Sequence, residues 1–559
     1  MNKTSQTHPL RIESVAVPGT AGAIGMTFCP GKVQPNALSG SWARGLDTDL
    51  HAIQNWGAVA LVSLMEQHEY RELGVADLPN RLPGGMQYFQ LPIPDGGVPD
   101  TQWEKQWEDA GKHIRALLGL GKKIVIHCKG GLGRTGLLAA RLLVEFGMRA
   151  DHAVEAVRKA RPGTIENSAQ EEYVYRQLPV DGRLFKKPSH VIAPDRANRY
   201  RGCLLGGAVG DALGATVEFM DLSAIHRQFG AGGIQDFVPA YGRVGAITDD
   251  TQMMLFTAEG VLRAQVRGVC RGICYLPGVV HHAYLRWLRT QEKGTALPEE
   301  PILDGWLITH RELFSPRAPG NTCLAALRAA GGFGTPAIND RKGCGGVMRV
   351  APVGLYAATV HTDAGETFRW GCETAALTHG HPTGQLPAGV LAVLIRELAG
   401  GGALGDALVT AKKLLREQPR HEETMVAIEK AERLAASTAP AEEGLPQLGE
   451  GWIAEEALAI ALFCALRAKS LEDGITMAVN ITGDSDSTGA IAGNLLGAIL
   501  GADQIPPRWL DSLELKDVIV EMADDLATVN KWPLTSDSRG QTEEEMAESA
   551  YLWAKYPGW

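Results

Sequence analysis

The sequence predicts a multidomain protein, an α/β domain followed by an all-α domain, on three observations. Its 559 residues exceed the roughly 250–300 at which a single core stops growing, so two or more domains are expected. Up to about residue 178, apolar runs such as AVALVSL (58–64) and KIVIH (123–127) alternate with helical patterns, the texture of an α/β fold. After about residue 198 the chain becomes rich in Ala, Leu and Gly, with long 3.6-residue patterns and few strand-like runs.

Within the first domain, placed at 20–178, a helix is expected over 103–118. Trp103, Trp107, Ala110, Ile114 and Leu117 share a helical stripe there, and Asp100 or Thr101 can cap it. Residues 179–197 carry prolines and mixed charge with little periodicity and read as a linker. The second domain, 198–559, opens with Gly202, Gly206, Gly210 and Gly214 four apart, a smooth helix face suited to close backbone packing. The stretch STAPAEEGLPQLGEG (437–451) reads as a surface loop.

Bulk properties narrow the class. A formal charge of −10 argues against non-specific nucleic-acid binding, while leaving room for a local basic pocket. No 18-residue apolar run suggests a membrane span, and the polar start MNKTSQTHPLR lacks the apolar region of a secretory signal. A cytoplasmic location is expected. Nine cysteines without a paired framework fit a reducing compartment.

The first chemistry-bearing segment is HCKGGLGRTG (127–136), between a strand-like run and the helical run LLAARLLVEF. Three glycines let Lys129, Gly130, Gly131, Leu132 and Gly133 curl so that backbone N–H groups converge on one anion at a helix N-terminus. The same field favours the thiolate of Cys128, the form that attacks phosphorus. Arg134 can grip two phosphoryl oxygens, and Thr135 can donate a hydrogen bond to the departing sulfur. An acid for the leaving oxygen is also needed. Asp95, in the turn-rich LPIPDGGVPD, is preferred to Asp100, which sits where a helix cap is wanted. Gln170 is a candidate for positioning a hydrolytic water.

The second segment pair is ITDDTQ (247–252) and TGDSDSTGA (482–490), each opening a helical run. Thr248, Asp249, Asp250, Asp484, Asp486 and Ser487 offer only hard oxygen donors, which select Mg²⁺ or Mn²⁺ over Zn²⁺. Four carboxylates and two hydroxyls suffice for two such ions with waters in the remaining positions. Each cluster taken alone is equally a helix cap. Glu218, in the apolar setting ATVEFM, is a candidate perturbed or metal-linked carboxylate. His379 and His381 are candidates for lining the same cleft.

Residues 20–178 resemble the dual-specificity, Cys-based protein phosphatases, and PDGGVPD with HCKGGLGRTG is most similar to the cyclin-dependent-kinase-associated group. That resemblance implies Cys128 as nucleophile, Arg134 as phosphate ligand, Asp95 as general acid and no cofactor. Residues 198–559 resemble the ADP-ribosylglycohydrolase family, and its dinitrogenase-reductase-activating branch in particular. GDALGATVEFM, ITDDTQM, GNTC, GGVMRVAPVG, THGHP and GDSDSTGAIAG occur in the family's order. It implies an all-α fold, two metal ions on Thr248, Asp249, Asp250, Asp484, Asp486 and Ser487, and a role for Glu218 at the reacting ribose. One departure is Cys344 in RKGCGGVMR, where relatives often carry Asn. The expected activities are removal of phosphate from a phosphorylated substrate and of ADP-ribose from a modified protein or derivative. The alternative is an ADP-ribose-binding module fused to a small-molecule or nucleotide phosphatase.

Overall fold

A computed structural model describes residues 2–18, 20–37, 40–84, 86–119, 121–177, 180, 187–291, 304–536 and 541–558. They form two compact units, Met1–Lys187 with Leu303–Thr309 and Gln541–Lys555, and Pro188–Ile302 with His310–Gly540 and Tyr556–Trp559. The C-terminal helix Glu543–Lys555 therefore falls in the first unit rather than in the helical domain expected over 198–559. There the Arg149 guanidinium lies 5.2 Å from the Trp553 ring centroid. Of the expected linker, residues 179 and 181–186 lie outside the described residues, and its last four are already helical, because a helix begins at Pro194. Proline at a first helical position loses no hydrogen bond, which is why the break ends there.

The first unit is built on strands β1 (Glu13–Ala16), β2 (Ala23–Phe28), β5 (Ala58–Ser63), β6 (Gln87–Gln90) and β7 (Lys123–Cys128), after the two-residue pair β3 (Val33–Gln34) and β4 (Trp42–Ala43) is set aside. The sheet order is β1-β2-β7-β5-β6. β2, β7, β5 and β6 run parallel, and β1 adds an antiparallel edge that starts before the boundary expected at 20. Side chains alternate across β7: Ile124 and Ile126 enter one core, Val125 the other. Both faces are covered, as a parallel sheet requires. Helices α1 (Leu46–Asn55) and α2 (Gln67–Glu72) cover the Val125 face, and α3 (Thr101–Gly119), α4 (Gly133–Glu145), α5 (Ala150–Ala160) and α6 (Ser168–Tyr175) the other.

The expected helix is α3. Trp103 and Trp107 are buried and stacked at 5.2 Å, and Asp100 Oδ1 accepts from Trp103 N at 2.8 Å, so Asp100 is the cap. Ile114 and Leu118 are fully buried, and Ala110 and Leu117, partly buried, pack against the same core.

The second unit is helical. Its central pair, Pro194–Gly214 and Ser485–Leu500, runs antiparallel with backbones in direct contact. A Cβ on Gly202, Gly206, Gly210 or Gly214 would strike the carbonyl oxygen of Gly497, Gly493, Gly489 or Ser485 respectively. The reciprocal glycines 489, 493 and 497 are blocked by Gly210, Gly206 and Gly202 in turn. The smooth face has its partner in a second, equally smooth helix. In the 437–451 stretch the expected loop is partly ordered as the short helical turns Ala441–Gly444 and Leu445–Leu448, anchored by buried Leu445 and Leu448. No described helix is long and apolar enough to cross a membrane.

Candidate functional site

Cys128 ends the middle parallel strand, paired in register with Phe28, and the chain then turns through four residues into α4. Gly131 makes the turn possible: its φ is +71°, and a Cβ there would overlap the backbone of Thr27 and Phe28. Its N–H points inward and donates to Cys128 Sγ at 3.2 Å. Cys128 is buried. Leu132 occupies the N-cap position of α4, and Gly133 opens the helix against Glu166 and Gln170, where a side chain would not fit. The loop therefore combines a thiol, the inward Gly131 N–H and a helix N-terminus, elements of an anion cradle.

Arg134 is 1% exposed, so its charge must be matched inside the protein. Glu69 does this with two hydrogen bonds, Nη1 to Oε2 at 2.7 Å and Nη2 to Oε1 at 2.8 Å. The carbonyls of Leu64 and Ile93 accept further bonds from Nη1. Burial alone would push the Glu69 carboxyl up, but Arg134 and the Glu66 backbone hold it below its usual range. Sequence reasoning missed Glu69, although its place in a capping box with Glu66 at the start of α2 is a readable signal. Asp95, two-thirds exposed, reaches the same guanidinium, with Oδ1 2.8 Å from Nη2. The loop carrying it is tied down from α6: Asn167 Nδ2 donates to Gly96 O at 2.9 Å and Gln170 Nε2 to Gly97 O at 3.3 Å. Gln170 Oε1 accepts from Glu166 N, so both ends of that side chain are engaged in the loop's support. Thr135 is buried with an Oγ1 that has no hydrogen-bond partner among the described residues, and Lys129 pairs with Glu72 at 3.0 Å.

In the second unit the glycine-packed helix pair sets the geometry. Because the pair is antiparallel, the end of Pro194–Gly214, and Glu218 just beyond it, arrives beside Asp484 and Asp486 at the start of Ser485–Leu500. Asp211, fully buried on the first helix, then fixes the other acidic segment. Its carboxylate accepts from Thr248 N at 3.0 Å and Thr251 N at 3.1 Å, and from Thr251 Oγ1. Asp211 was also missed, although it lies within the GDALG motif. Thr248 and Asp484 are the N-caps of their helices, accepting from Asp250 N at 3.2 Å and Ser487 N at 3.3 Å. The cap reading and the cluster reading thus hold together. Gly320 N donates to Asp249 Oδ2 at 3.1 Å, and Cys344 Sγ to Asp484 Oδ2 at 2.8 Å. Arg349 of GGVMR reaches Thr378 of THGHP at 2.7 Å. The dispersed motifs converge on one region.

That region is strongly anionic. Glu218, Asp211, Asp249, Asp250, Asp484 and Asp486 are all buried, and among the described residues none has an ion-pair partner. Burial, then the charges of Asp484, Asp249 and Asp211, push Glu218 up to about 8. Asp249 is likewise raised to about 8 by burial and its neighbours, and Asp250 and Asp486 stand well above the usual carboxylate range. Among the described residues, Asp250 Oδ2 and Glu218 Oε2 are buried with no hydrogen-bond partner. Among the described residues no three Asp, Glu, His or Cys side chains are closed around one point as metal ligands. The donor set itself, hard oxygens with two orphaned carboxylate atoms and no compensating cation, matches what a divalent ion neutralises. His379 is buried, pushed down to about 3 by burial and Arg349, and bonded to Thr378 Oγ1 at 2.8 Å. His381 accepts from Thr383 N and faces Arg420 Nη2 at 2.7 Å, so local bonds hold both histidines.

Comparison with known proteins agrees with this division. The family description ADP-ribosylglycohydrolase matches residues 193–534, and a second, the DSP-PTPase phosphatase of polymorphic toxin systems, matches residues 41–148. The ADP-ribosyl-[dinitrogen reductase] glycohydrolase of Rhodospirillum rubrum is 28% identical over 340 residues, 58% of this chain and 94% of that protein. The tyrosine-protein phosphatase CDC14 of Saccharomyces cerevisiae is 32% identical over 141 residues, 24% of each chain. A solved ADP-ribosylglycohydrolase-related protein complex superposes with a TM-score of 0.45 and 28% identity, covering 60% of this chain and 99% of that one. With more than half its length matched, the chain belongs to the ADP-ribosylglycohydrolase family, and it joins to that hydrolase a phosphatase domain of the dual-specificity type.

Proposed function

We propose that the two domains act as a Cys128-dependent phosphomonoesterase and a Mg²⁺- or Mn²⁺-dependent ADP-ribosyl hydrolase that frees ADP-ribose from a modified macromolecule or derivative. In the first, Cys128 Sγ attacks phosphorus, the P–O ester bond breaks, and Asp95 protonates the departing oxygen. Water, deprotonated by Asp95, then cleaves the S–P bond and releases phosphate. Arg134, held in plane by Glu69, stays in register with the phosphoryl oxygens. What supports this half is the Gly131 N–H aimed at the thiol, with Asp95 and Glu69 on one guanidinium.

In the second domain Thr248, Asp249, Asp250, Asp484, Asp486 and Ser487 would hold the ions. A divalent metal there supplies charge neutralisation and binds ribose hydroxyls and a water. Glu218, with its unpartnered Oε2, holds or accepts a proton at the reacting ribose. The observation that carries this half is the set of six buried carboxylates without a cation partner among the described residues.

The test uses the full chain with ADP-ribosylated protein and an aryl phosphate. EDTA is expected to abolish ADP-ribose release and lower the Tm of the helical unit, since the ions bind only the folded state, while aryl phosphate hydrolysis continues. Asp486→Asn should reproduce the loss of release. Undiminished ADP-ribose release in both cases sinks the metal assignment.

A further inference from the structure

A lysine beside the thiol loop has no place in the chemistry above. Lys32 lies four residues beyond the end of β2, whose last residue, Phe28, pairs in register with Cys128. It is only 6% exposed, and among the described residues no carboxylate pairs with it. Its Nζ sits 5.1 Å from the ring centroids of both Phe28 and Trp42. The neighbouring cations differ from it in one respect. Arg44 is matched by two bonds to Asp49 at 2.7 and 2.9 Å, Lys129 by Glu72, and Arg161 by Glu13 while it also bonds Gly131 O at 2.6 Å. Two ring faces hold this ammonium without a carboxylate counter-charge, which is costly in an interior. Burial holds the Lys32 pKa below the usual lysine range, and Cys29, Arg44, Cys128 and Arg161 lie close enough to influence it.

We propose that Lys32 forms a second anion subsite beside the Cys128 loop, which takes a further phosphoryl group of the substrate. The substrate class is then a small molecule with a scissile phosphate and a second phosphate or diphosphate, rather than a phosphopeptide. An ADP-ribosyl compound has such a diphosphate, which suits the hydrolase fused to this domain. The class of substrate rests on the phosphatase reading above; the anion subsite itself is testable without turnover.

The experiment is calorimetric titration of the full chain, in EDTA, with inorganic orthophosphate and pyrophosphate. The unaltered chain is expected to bind pyrophosphate at least roughly tenfold more tightly, the scale of one charge-assisted hydrogen bond. Lys32→Met should remove that preference while keeping orthophosphate affinity, which reports an intact loop, and Lys32→Arg should retain it. Equal weakening of both anions in Lys32→Met, or no pyrophosphate preference in the unaltered chain, overturns the subsite. An intact preference with no aryl phosphate hydrolysis would leave the subsite standing and refute the phosphatase reading instead.

Discussion

The two candidate centres are built in opposite ways. The thiol loop is contiguous from Cys128 to Arg134, and its buried cation is matched inside the protein by Glu69. The carboxylate cleft is assembled from segments more than 200 residues apart, and its six buried carboxylates have no ion-pair partner among the described residues. A site that folds as one strand, loop and helix needs a single carboxylate from another helix, Glu69, to balance its buried cation. A site made where distant helix ends meet depends on the packing that brings them together, and on an external cation for balance.

The sharpest break between the two is chemical. Cys128→Ser should take phosphatase turnover below detection, because a serine hydroxyl is not ionised near neutrality, while ADP-ribose release stays unchanged. Retained aryl phosphate hydrolysis would end the covalent mechanism. Next in size, Asp95→Asn should slow phosphatase turnover by roughly 10²–10⁴-fold if it is the acid. A larger loss in Asp100→Asn would transfer that role; Asp100 caps α3, and because Asn caps as well as Asp this variant should keep its stability and its turnover.

The matched charge gives the third prediction. Glu69→Ala leaves the buried Arg134 with only the largely exposed Asp95 as counter-charge, and should destabilise the first unit by about 3 kcal/mol. Denaturant unfolding of that variant with an unchanged midpoint would show the Arg134 charge to be satisfied elsewhere. The smallest effect addresses the helix pair: Gly206→Ala forces a Cβ into the Gly493 carbonyl and should cost about 1–3 kcal/mol. Because that contact aligns Glu218 with Asp484, ADP-ribose release should fall as well. A Gly206→Ala chain with unaltered Tm and release would separate the glycine packing from the site.

Much of this was legible in the chain. The loop residues 128–134 were readable because strand, glycines and helix follow one another without interruption, so local rules place every atom that matters. The α3 stripe was readable for the same reason, down to Leu117, which packs against the same core. The Gly202–Gly214 face was visible as smooth, but its partner lies near residue 490 and nothing in the local pattern names it. Glu69 and Asp211 escaped because their work is done across space, on Arg134 and on Thr248 and Thr251.

By itself the sequence determined the two domain classes, the thiol loop and five of the six clustered carboxylates, because hydrophobic period, glycine spacing and donor chemistry are properties of short segments. Only the tertiary structure decided that Glu69 steadies Arg134, that Asp211 joins the acidic segments, and that the last helix belongs to the first unit. Each of these depends on which surfaces bury against which, and on burial making an unmatched charge or an added methyl group costly. Those energies exist only once residues far apart in the chain have been brought into contact.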